Sequence, residues 1–492
     1  MDLKLAEDFK ALVDLVPKTI SRAQRALIER RANEIEKEKG EASAVRFRIQ
    51  NLFSSKMELR PAPRHLVQPR WTRPATSVHR ATIDYIERTW EKLARLTPAK
   101  TSSSLIPLPF PVMIPGARFQ EAYYWDSYFA VHALVGMGRG ALVRGQIENF
   151  VFMIDNYGLV PNGNRDYYRS RSQPPVLAKM INDYLKLTDG AKISEANREW
   201  LANRILPSVI KDYREFWMNP ATRLDPVTGL NRHFDAENVP RPERHAADNE
   251  AALGKTYRDV RAEAESGKDF TVAFEGEATQ FAPVLLNSIL YRTERDIAEM
   301  LRTVGRSNEA RYYDQAADRR RDTMNRLMRD PATGIYYDYH LSENRRSPVV
   351  TADTFAPLWA DLINGKSAEL TAKSALAKLE KAGGIMSSEA QTGKQWDAPY
   401  VWAPHVMFAV EGLRKNGLLE DANRVANNWV ATVDRVHART GVILEKYDAV
   451  RADAPIETGD KYVTQQGFLW SNGVYVWLVR DVLGERLITL DR

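Results

Sequence analysis

Cysteine is absent from all 492 residues, which excludes disulfide bonds and thiolate metal sites. No apolar run approaches the roughly 18 residues that a membrane-spanning helix needs, so no membrane partner is expected. The N-terminal segment MDLKLAEDFK also lacks the basic and then apolar layout of a secretory leader. The expected location is therefore cytoplasmic as the sequence stands, or periplasmic if a leader has been removed.

Several common catalytic motifs are missing as well. GK[ST] occurs at 254–256 and 365–367, but Asn249 or Ala360 stands where a P-loop needs its leading glycine. The eight histidines form no HExxH pair, and there is no GxSxG nucleophile elbow. These absences argue against nucleotide, zinc and serine-hydrolase chemistry, and we expect neither a metal nor another cofactor.

Charge is distributed unevenly along the chain. The net charge is +6, and residues 42–80 carry eight Lys or Arg against the single acid Glu58. Such a segment suits nucleic acid or an anionic membrane, or it is an arm that is solvated or packed on protein. Only Phe47, Phe53 and Trp71 interleave aromatic rings with these charges. We therefore favour the arm and expect no nucleic acid partner.

Helical periodicity dominates from about residue 84 onward. In QIENFVFMIDNYG the apolar residues Ile147, Phe150, Val151 and Ile154 lie on one helix face, and Gly158 follows as a left-handed stop. The pattern recurs at 177–185, 201–216 and 284–304, whereas strand patterns are limited to 334–340 and 442–448. Successive helices without βαβ alternation form a solenoid or a closed toroid. The absence of a short repeat favours the toroid.

Six stretches combine tryptophan or tyrosine with carboxylates, arginines and amides. Sugars require this composition, because aromatic faces stack on C–H patches while charged and amide groups bind hydroxyls. Glycoside hydrolysis further needs two carboxyl groups on opposite sides of the scissile bond. The stretches are PGARFQEAYYWDSYF (115–129), PNGNRDYYRSRSQPP (161–175), PRPER (240–244), AESGKDF (264–270), QWDAPYVWAP (395–404), and LEKYD (444–448) with GDKYVTQQGFLWSNG (459–473).

Two of these stretches resemble the signatures of one enzyme family. PGARFQEAYYWDSYF is similar to PGGRF followed by E-x-YYWDSY, and QWDAPYVWAP with EGL at 411–413 is similar to QWDxPxxWAP…GL. PNG, RSQPP, PRPE, SSLIPLP and EKYD are similar to further family segments, and the order holds from about residue 90 to 475. The chain is identified on these residues as a member of the α,α-trehalases, glycoside hydrolase family 37, or as a close relative.

The resemblance implies an all-α (α/α)6 toroid at 84–492, preceded by a helical arm and basic linker at 1–83. It also implies a metal-free, inverting hydrolysis of α,α-trehalose to two glucose molecules, and we expect a monomer. Matched by motif, Asp269 of ESGKDF would be the general acid and Glu445 of EKYD the general base. The sugar contacts carried over in the same way are Arg118, Phe119, Trp125, Asp126, Asn162, Arg171, Arg241, Glu243, Trp396 and Asp460.

These residue types suggest distinct roles. The arginines can fork onto vicinal hydroxyls or hold carboxylates in place. The two tryptophans would form apolar walls that help to keep an acid protonated. Asp126 and Glu243 would accept hydroxyl protons as ionised groups.

The chain departs from the family pattern in two places. One is the segment around the proposed acid Asp269, called the acid segment below, and the other is a loop. Lys268 replaces the tryptophan of ESGWDFSSRW, Ala273 stands where arginine is expected, and GDKY replaces the glycine-rich GGGEY. A lysine charge aimed at Asp269 would oppose its protonation. Our hypothesis is that Lys268 faces outward, because an unpaired buried lysine is unfavourable. These departures leave two alternatives: another small α-glucoside as substrate, or an inactive sugar-binding toroid.

Overall fold

A computed structural model describes residues 33, 34, 37, 59–67, 78–98, 103–252, 255–456 and 463–485. The rest of the proposed N-terminal arm lies outside these residues, as does Asp460. In this part of the chain the α-helices, in order, are α1 (Arg64–Val67), α2 (Arg80–Leu93), α3 (Val131–Gly136), α4 (Gly140–Tyr157), α5 (Leu177–Asp189), α6 (Glu195–Trp200), α7 (Leu206–Lys211), α8 (His245–Ala251), α9 (Tyr257–Glu265), α10 (Val284–Thr303), α11 (Ser307–Leu327), α12 (Ala356–Trp359), α13 (Gly365–Leu379), α14 (Ala403–Lys415), α15 (Leu419–Thr440) and α16 (Leu469–Trp477).

Short helical segments of other types extend several of these helices. The 3-10 turns are Trp125–Ala130, Asp166–Tyr168, Pro242–Arg244, Ala278–Gln280 and Ala352–Phe355. Wider π-type turns at Leu201–Ile205, Asp212–Trp217 and Leu478–Val482 make 195–217 one continuous helix and prolong α16.

Six of the described helices form a closed inner ring. Each helix contacts the next in the order α3, α5, α10, α12, α14 and α16, and α16 contacts α3, which closes the ring. The outer layer comprises α2, α4, the helix 195–217, α11, α13 and α15, and each contacts an inner helix or, for α13, the 3-10 turn that leads into α12. This arrangement confirms the expected (α/α)6 toroid.

The two layers differ in their sequence patterns. In inner helix α16, LWSNGVYVW, all nine residues are buried, as expected for a helix enclosed on every side. Gly473 is required there, because a Cβ would lie 2.5 Å from the carbonyl oxygen of Phe129. Outer helix α11 buries only a stripe along one face, from Ala310 to Met324. The helix predicted before Gly158 is also confirmed: α4 ends at Tyr157, and Gly158 has φ +81°.

The strands of the described residues are short and lie in the connections between helices. They are β1 (Arg60–Pro61), β2 (Ala94–Leu96), β3 (Val112–Met113), β4 (Phe281–Ala282), β5 (Tyr339–His340), β6 (Arg345–Arg346), β7 (Glu380–Lys381), β8 (Gly384–Ile385), β9 (Tyr400–Trp402) and β10 (Lys446–Asp448). These strands pair antiparallel, in the orders β1-β2-β3, β4-β5-β6, β7-β8 and β9-β10. β5 and β10 lie within the two predicted strand stretches.

Part of the proposed arm packs on the toroid. β1 pairs with β2, and the carbonyl oxygen of Val67 accepts a hydrogen bond of 2.7 Å from Nε of Arg139. The expected boundary at residue 83 falls inside α2, and the division into two domains stays a prediction. None of the described helices has the length and apolar character to cross a membrane.

Candidate active site

Four of the stretches singled out in the sequence lie at one end of the inner ring. They lead into the N-terminal ends of inner helices: 115–129 precedes α3, 161–175 precedes α5, 395–402 precedes α14, and the described residues 445–456 and 463–468 precede α16. The acid segment around 269 comes shortly before β4 and α10. Ring closure therefore brings segments together that are far apart in the sequence.

A cluster of four tryptophans forms the centre of this end. The ring of Trp125 lies 6.2 Å from Trp396 and 6.1 Å from Trp470, measured between centroids. Trp396 and Trp402 stack in parallel at 4.1 Å. The two tryptophans predicted from motifs are thus neighbours, while Trp402 and Trp470 were missed. Their signal was present, because both belong to stretches that the composition had singled out.

Asp269 is held at both its side chain and its backbone. Nη1 of Arg241 donates to Oδ2 of Asp269 at 3.1 Å, while Arg241 also forks onto both oxygens of Asp248. Nε2 of Gln395 donates to the carbonyl oxygen of Asp269. The Asp269 side chain keeps 24% of its surface exposed, whereas Arg241 is buried. The carboxyl group is therefore oriented and still accessible to a substrate.

Glu445 is buried and is also bonded to this cluster. Its Oε1 accepts from the backbone N–H of Gln465 at 2.7 Å, and its own N–H donates to the Gln465 carbonyl at 3.0 Å. Its carbonyl oxygen accepts from Nε1 of Trp470 at 2.9 Å. The backbone N–H of Trp396 in turn donates to the carbonyl of Phe270, next to Asp269. Both carboxylate segments are thus bonded to residues of one tryptophan cluster.

Three predicted sugar contacts form one hydrogen-bonded chain. Nε of Arg171 donates to Oδ1 of Asn162 at 3.0 Å, and its Nη2 donates to Oε1 of Glu243 at 2.8 Å. Oδ2 of Asp235 lies 3.5 Å from Nη1 of Arg171 and forms a second ion pair with this guanidinium group. Oε2 of Glu243 is buried and makes no hydrogen bond within the described chain. That oxygen can accept a hydrogen bond from a sugar hydroxyl.

Arg118 and Phe119 are neighbours that are linked to Glu445 through Gln465. The guanidinium carbon of Arg118 lies 4.7 Å from the centroid of the Phe119 ring, and that ring meets Phe468 edge-on at 5.7 Å. The backbone N–H of Arg118 donates to the side-chain oxygen of Gln465. Arg118 is exposed and Phe119 is half-buried. This pair is suited to the rim of a pocket more than to its floor.

Two glutamines join the site without having been predicted. Oε1 of Gln173 accepts from the backbone N–H of Trp125 at 3.2 Å, which ties the segment before α5 to the turn before α3. Oε1 of Gln395 is buried and makes no hydrogen bond within the described residues. Both could have been found from the motifs, because Gln173 belongs to RSQPP and Gln395 is the first residue of QWDAPYVWAP.

Asp126 is not the permanently ionised acceptor that the sequence suggested. Burial, with a smaller contribution from the nearby Glu445 carboxylate, raises the pKa of Asp126 to about 7 against the effect of hydrogen bonds from the Asp126 backbone and from Gln173. At neutral pH a large fraction of molecules therefore carries a proton on Asp126. The same interaction places Asp126 beside the predicted base.

The raised pKa of Asp126 predicts that the free energy of unfolding depends on pH. The folded chain holds this proton up to about pH 7, whereas the unfolded chain releases it near the ordinary pKa of 3.8. Its contribution to the free energy of unfolding therefore falls as pH rises from about 4 to 7, by about 1.4 kcal/mol per pH unit. Urea unfolding at several pH values measures the total slope, and Asp126→Asn should make it shallower by the contribution of this one group, since Asp212 and Glu263 have raised pKa values as well. An unchanged slope in the variant would contradict this pKa.

Lys268 does not face outward, so that hypothesis is wrong. Its side chain is buried, and its ammonium group pairs with Oδ2 of Asp353. Burial acts to lower the pKa of Lys268, but the carboxylates of Asp353 and Asp338 outweigh it and the pKa is raised. The hypothesis failed because a partner for the lysine exists 85 residues away in the chain. Ala273, the second departure, is buried.

Comparison with known proteins gives a consistent result. A family model described as Trehalase matches residues 2–482. A periplasmic trehalase of Xanthomonas campestris pv. campestris (strain 8004) is 36% identical over 427 residues, covering 81% of this chain and 73% of the relative. A periplasmic trehalase of Pseudomonas aeruginosa is 36% identical over 426 residues, covering 80% of this chain and 76% of the relative.

Solved structures agree with the fold. The neutral trehalase Nth1 of Saccharomyces cerevisiae superposes with a TM-score of 0.67 at 30% identity, covering 76% of this chain and 74% of that one. A family 63 mannosylglycerate hydrolase of Thermus thermophilus superposes with a TM-score of 0.54 at 18% identity, covering 75% of this chain and 96% of that one. The second likeness concerns the fold alone.

Proposed function

The chain belongs to the trehalase family, and from this premise we propose that it hydrolyses α,α-trehalose to two glucose molecules with inversion at the attacked carbon. Asp269 is the general acid and Glu445 the general base in this proposal. One observation carries it: the distant segments that contain Asp269 and Glu445 are hydrogen-bonded to two tryptophans, Trp396 and Trp470, whose ring centroids lie 6.2 Å apart.

The proposed reaction balances with one water molecule. Asp269 gives its proton to the bridging oxygen, which leaves as the hydroxyl of the first glucose. Glu445 takes a proton from water as the water oxygen attacks the opposite face of the second ring, through an oxocarbenium-like transition state. An inverting pair needs carboxyl groups about 6.5–9.5 Å apart, and we expect that separation between Asp269 and Glu445.

The neighbouring residues supply orientation in this proposal. Arg241 occupies Oδ2 of Asp269, so the transferable proton belongs on Oδ1. The N–H of Gln465 holds Oε1 of Glu445 and so fixes the rotation of the carboxylate that accepts the proton. Arg171 and Glu243 bind sugar hydroxyls through charge-assisted hydrogen bonds. Trp125 and Trp396 exclude water from the reacting bond, which strengthens these polar interactions.

Inversion predicts the configuration of the products. Each trehalose should release one β-glucose and one α-glucose, because water attacks one ring from its β face while the other ring departs unchanged. Proton NMR in the first minutes, before mutarotation, measures the two anomeric signals. An initial product that is purely α would contradict inversion, and a retaining enzyme would be indicated.

The alternatives are separated by substrate and binding assays. Glucose release from trehalose across about pH 4 to 8, beside a panel of other α-linked disaccharides, tests the substrate. Calorimetric binding of trehalose without glucose release would indicate an inactive sugar-binding toroid. Both bacterial relatives are named periplasmic, which favours the periplasmic one of the two predicted locations.

A further inference from the structure

A buried ion pair lies directly beside the proposed acid. Lys268 precedes Asp269, and its side chain is 4% exposed while its partner Asp353 is fully buried. The other carboxylate oxygen of Asp353 lies 3.4 Å from Nε2 of His405. These three side chains form one polar group beneath the acid segment.

The ion pair connects the acid segment to two inner helices. Asp353 lies in the 3-10 turn that leads into α12, and His405 lies in the first turn of α14. The ring of His405 meets the ring of Trp396 edge-on at 5.5 Å. On the other side of the segment, a Cβ on Gly267 would lie 2.7 Å from the indole of Trp125. The backbone around Asp269 is thus confined between the tryptophans and the ion pair.

More than one carboxyl group acts on Lys268. Lys268 pulls the pKa of Asp353 down to about 2 against the effect of burial. Burial lowers the pKa of His405, so this ring is neutral and adds no second cation. Asp338, which accepts from the backbone N–H of Val284 at the start of α10, is another acid that faces the lysine. Lys268 thus supplies the positive charge that compensates these carboxyl groups.

An apolar side chain would fill this space without the desolvation of two charges, so packing alone does not explain the pair. An ion pair adds direction, since the lysine must reach one carboxylate oxygen in one orientation. We propose that Lys268 is a positioning residue: its pair with Asp353 sets the rotation of the 267–270 backbone, so that the Asp269 carboxyl group meets Arg241 and the bridging oxygen. This inference rests on the proposed role of Asp269 as the acid.

The test removes both charges together and compares two substrates. Lys268→Met with Asp353→Asn removes both members of the ion pair and nearly preserves volume, and Asp338, whose pKa burial already raises to about 6, can take up a proton when the lysine is absent. Trehalose needs a proton on its leaving oxygen, whereas α-glucosyl fluoride does not, because fluoride leaves as a stable anion. We expect kcat on trehalose to fall about 30-fold or more, with KM and fluoride hydrolysis within about 3-fold.

A matched control is provided by Arg320 and Glu294, an equally buried pair between α11 and α10 whose described partners lie outside the site. Arg320→Met with Glu294→Gln should lower the melting temperature without a selective effect on trehalose. If the Lys268 and Asp353 double variant loses both substrates equally, or neither, the pair is only structural and the inference fails. Asp353→Asn alone, which keeps an acceptor for Lys268, decides the question if the double variant does not fold, and its loss should again be selective for trehalose.

The same assay distinguishes this inference from the proposed function. Asp269→Asn should itself lose trehalose hydrolysis selectively. If Asp269→Asn shows no such selectivity, the proposed acid is wrong. If Asp269→Asn shows it and the Lys268 and Asp353 variants do not, only the positioning role is wrong.

Discussion

Replacing Asp269 by asparagine is expected to lower kcat on trehalose by about 10²–10⁴-fold, the usual contribution of a general acid or base. Asparagine keeps an oxygen that can accept from Nη1 of Arg241, so the surrounding contacts survive. It cannot deliver a proton to the bridging oxygen. Steady-state glucose release measures the loss, and hydrolysis of α-glucosyl fluoride should be largely retained.

The fold of this variant must be intact for the result to count. The Arg241 pair with Asp248 does not depend on Asp269, so we expect the melting temperature to change little. Glu215→Gln, at an exposed position of the outer helix 195–217, is the control for loss of a carboxylate and should behave as the parent. Full trehalose turnover by Asp269→Asn would exclude Asp269 as the acid.

Glu445→Gln is expected to lower turnover by a similar factor of about 10²–10⁴, on both trehalose and α-glucosyl fluoride. The reason is that every substrate requires an activated water, whatever its leaving group. The glutamine oxygen can still accept from the N–H of Gln465, which preserves the local contacts. Parallel assays with the two substrates therefore give different patterns for the acid and base variants.

A small anion offers a second measurement for the base. Azide is a nucleophile that needs no deprotonation, so it should restore part of the turnover of Glu445→Gln and yield β-glucosyl azide. Attack from the β face follows from inversion. Restoration with the α product, or equal restoration of Asp269→Asn on trehalose, would contradict the assignment of Glu445.

Much of this site could be predicted because its signals are local. The periodicity before Gly158 concerns residues within one or two helical turns, and α4 ends where the glycine requires. The motif stretches likewise carry their residues in fixed order, so Trp125 and Trp396 could be chosen from short segments. Their contact at 6.2 Å follows from closure of the ring.

The failures concern the partners and surroundings of single residues. Lys268 was expected in water because no neighbouring residue could pair with it, yet Asp353 reaches it from the turn before another inner helix. Asp126 was expected to be an ionised acceptor for sugar hydroxyls, yet burial and Glu445 raise its pKa to about 7. The residues that flank a position determine neither its burial nor the charges that approach it from distant parts of the chain.

By itself, the sequence determined the helical class, because periodicity is a local property, and its motifs supplied the resemblance from which the (α/α)6 ring and the candidate acid and base were predicted. The tertiary structure decided which tryptophans meet, where Lys268 points and which carboxyl group holds a proton. Those properties depend on distances across the ring and on exclusion of water, and both arise only when the inner helices pack together.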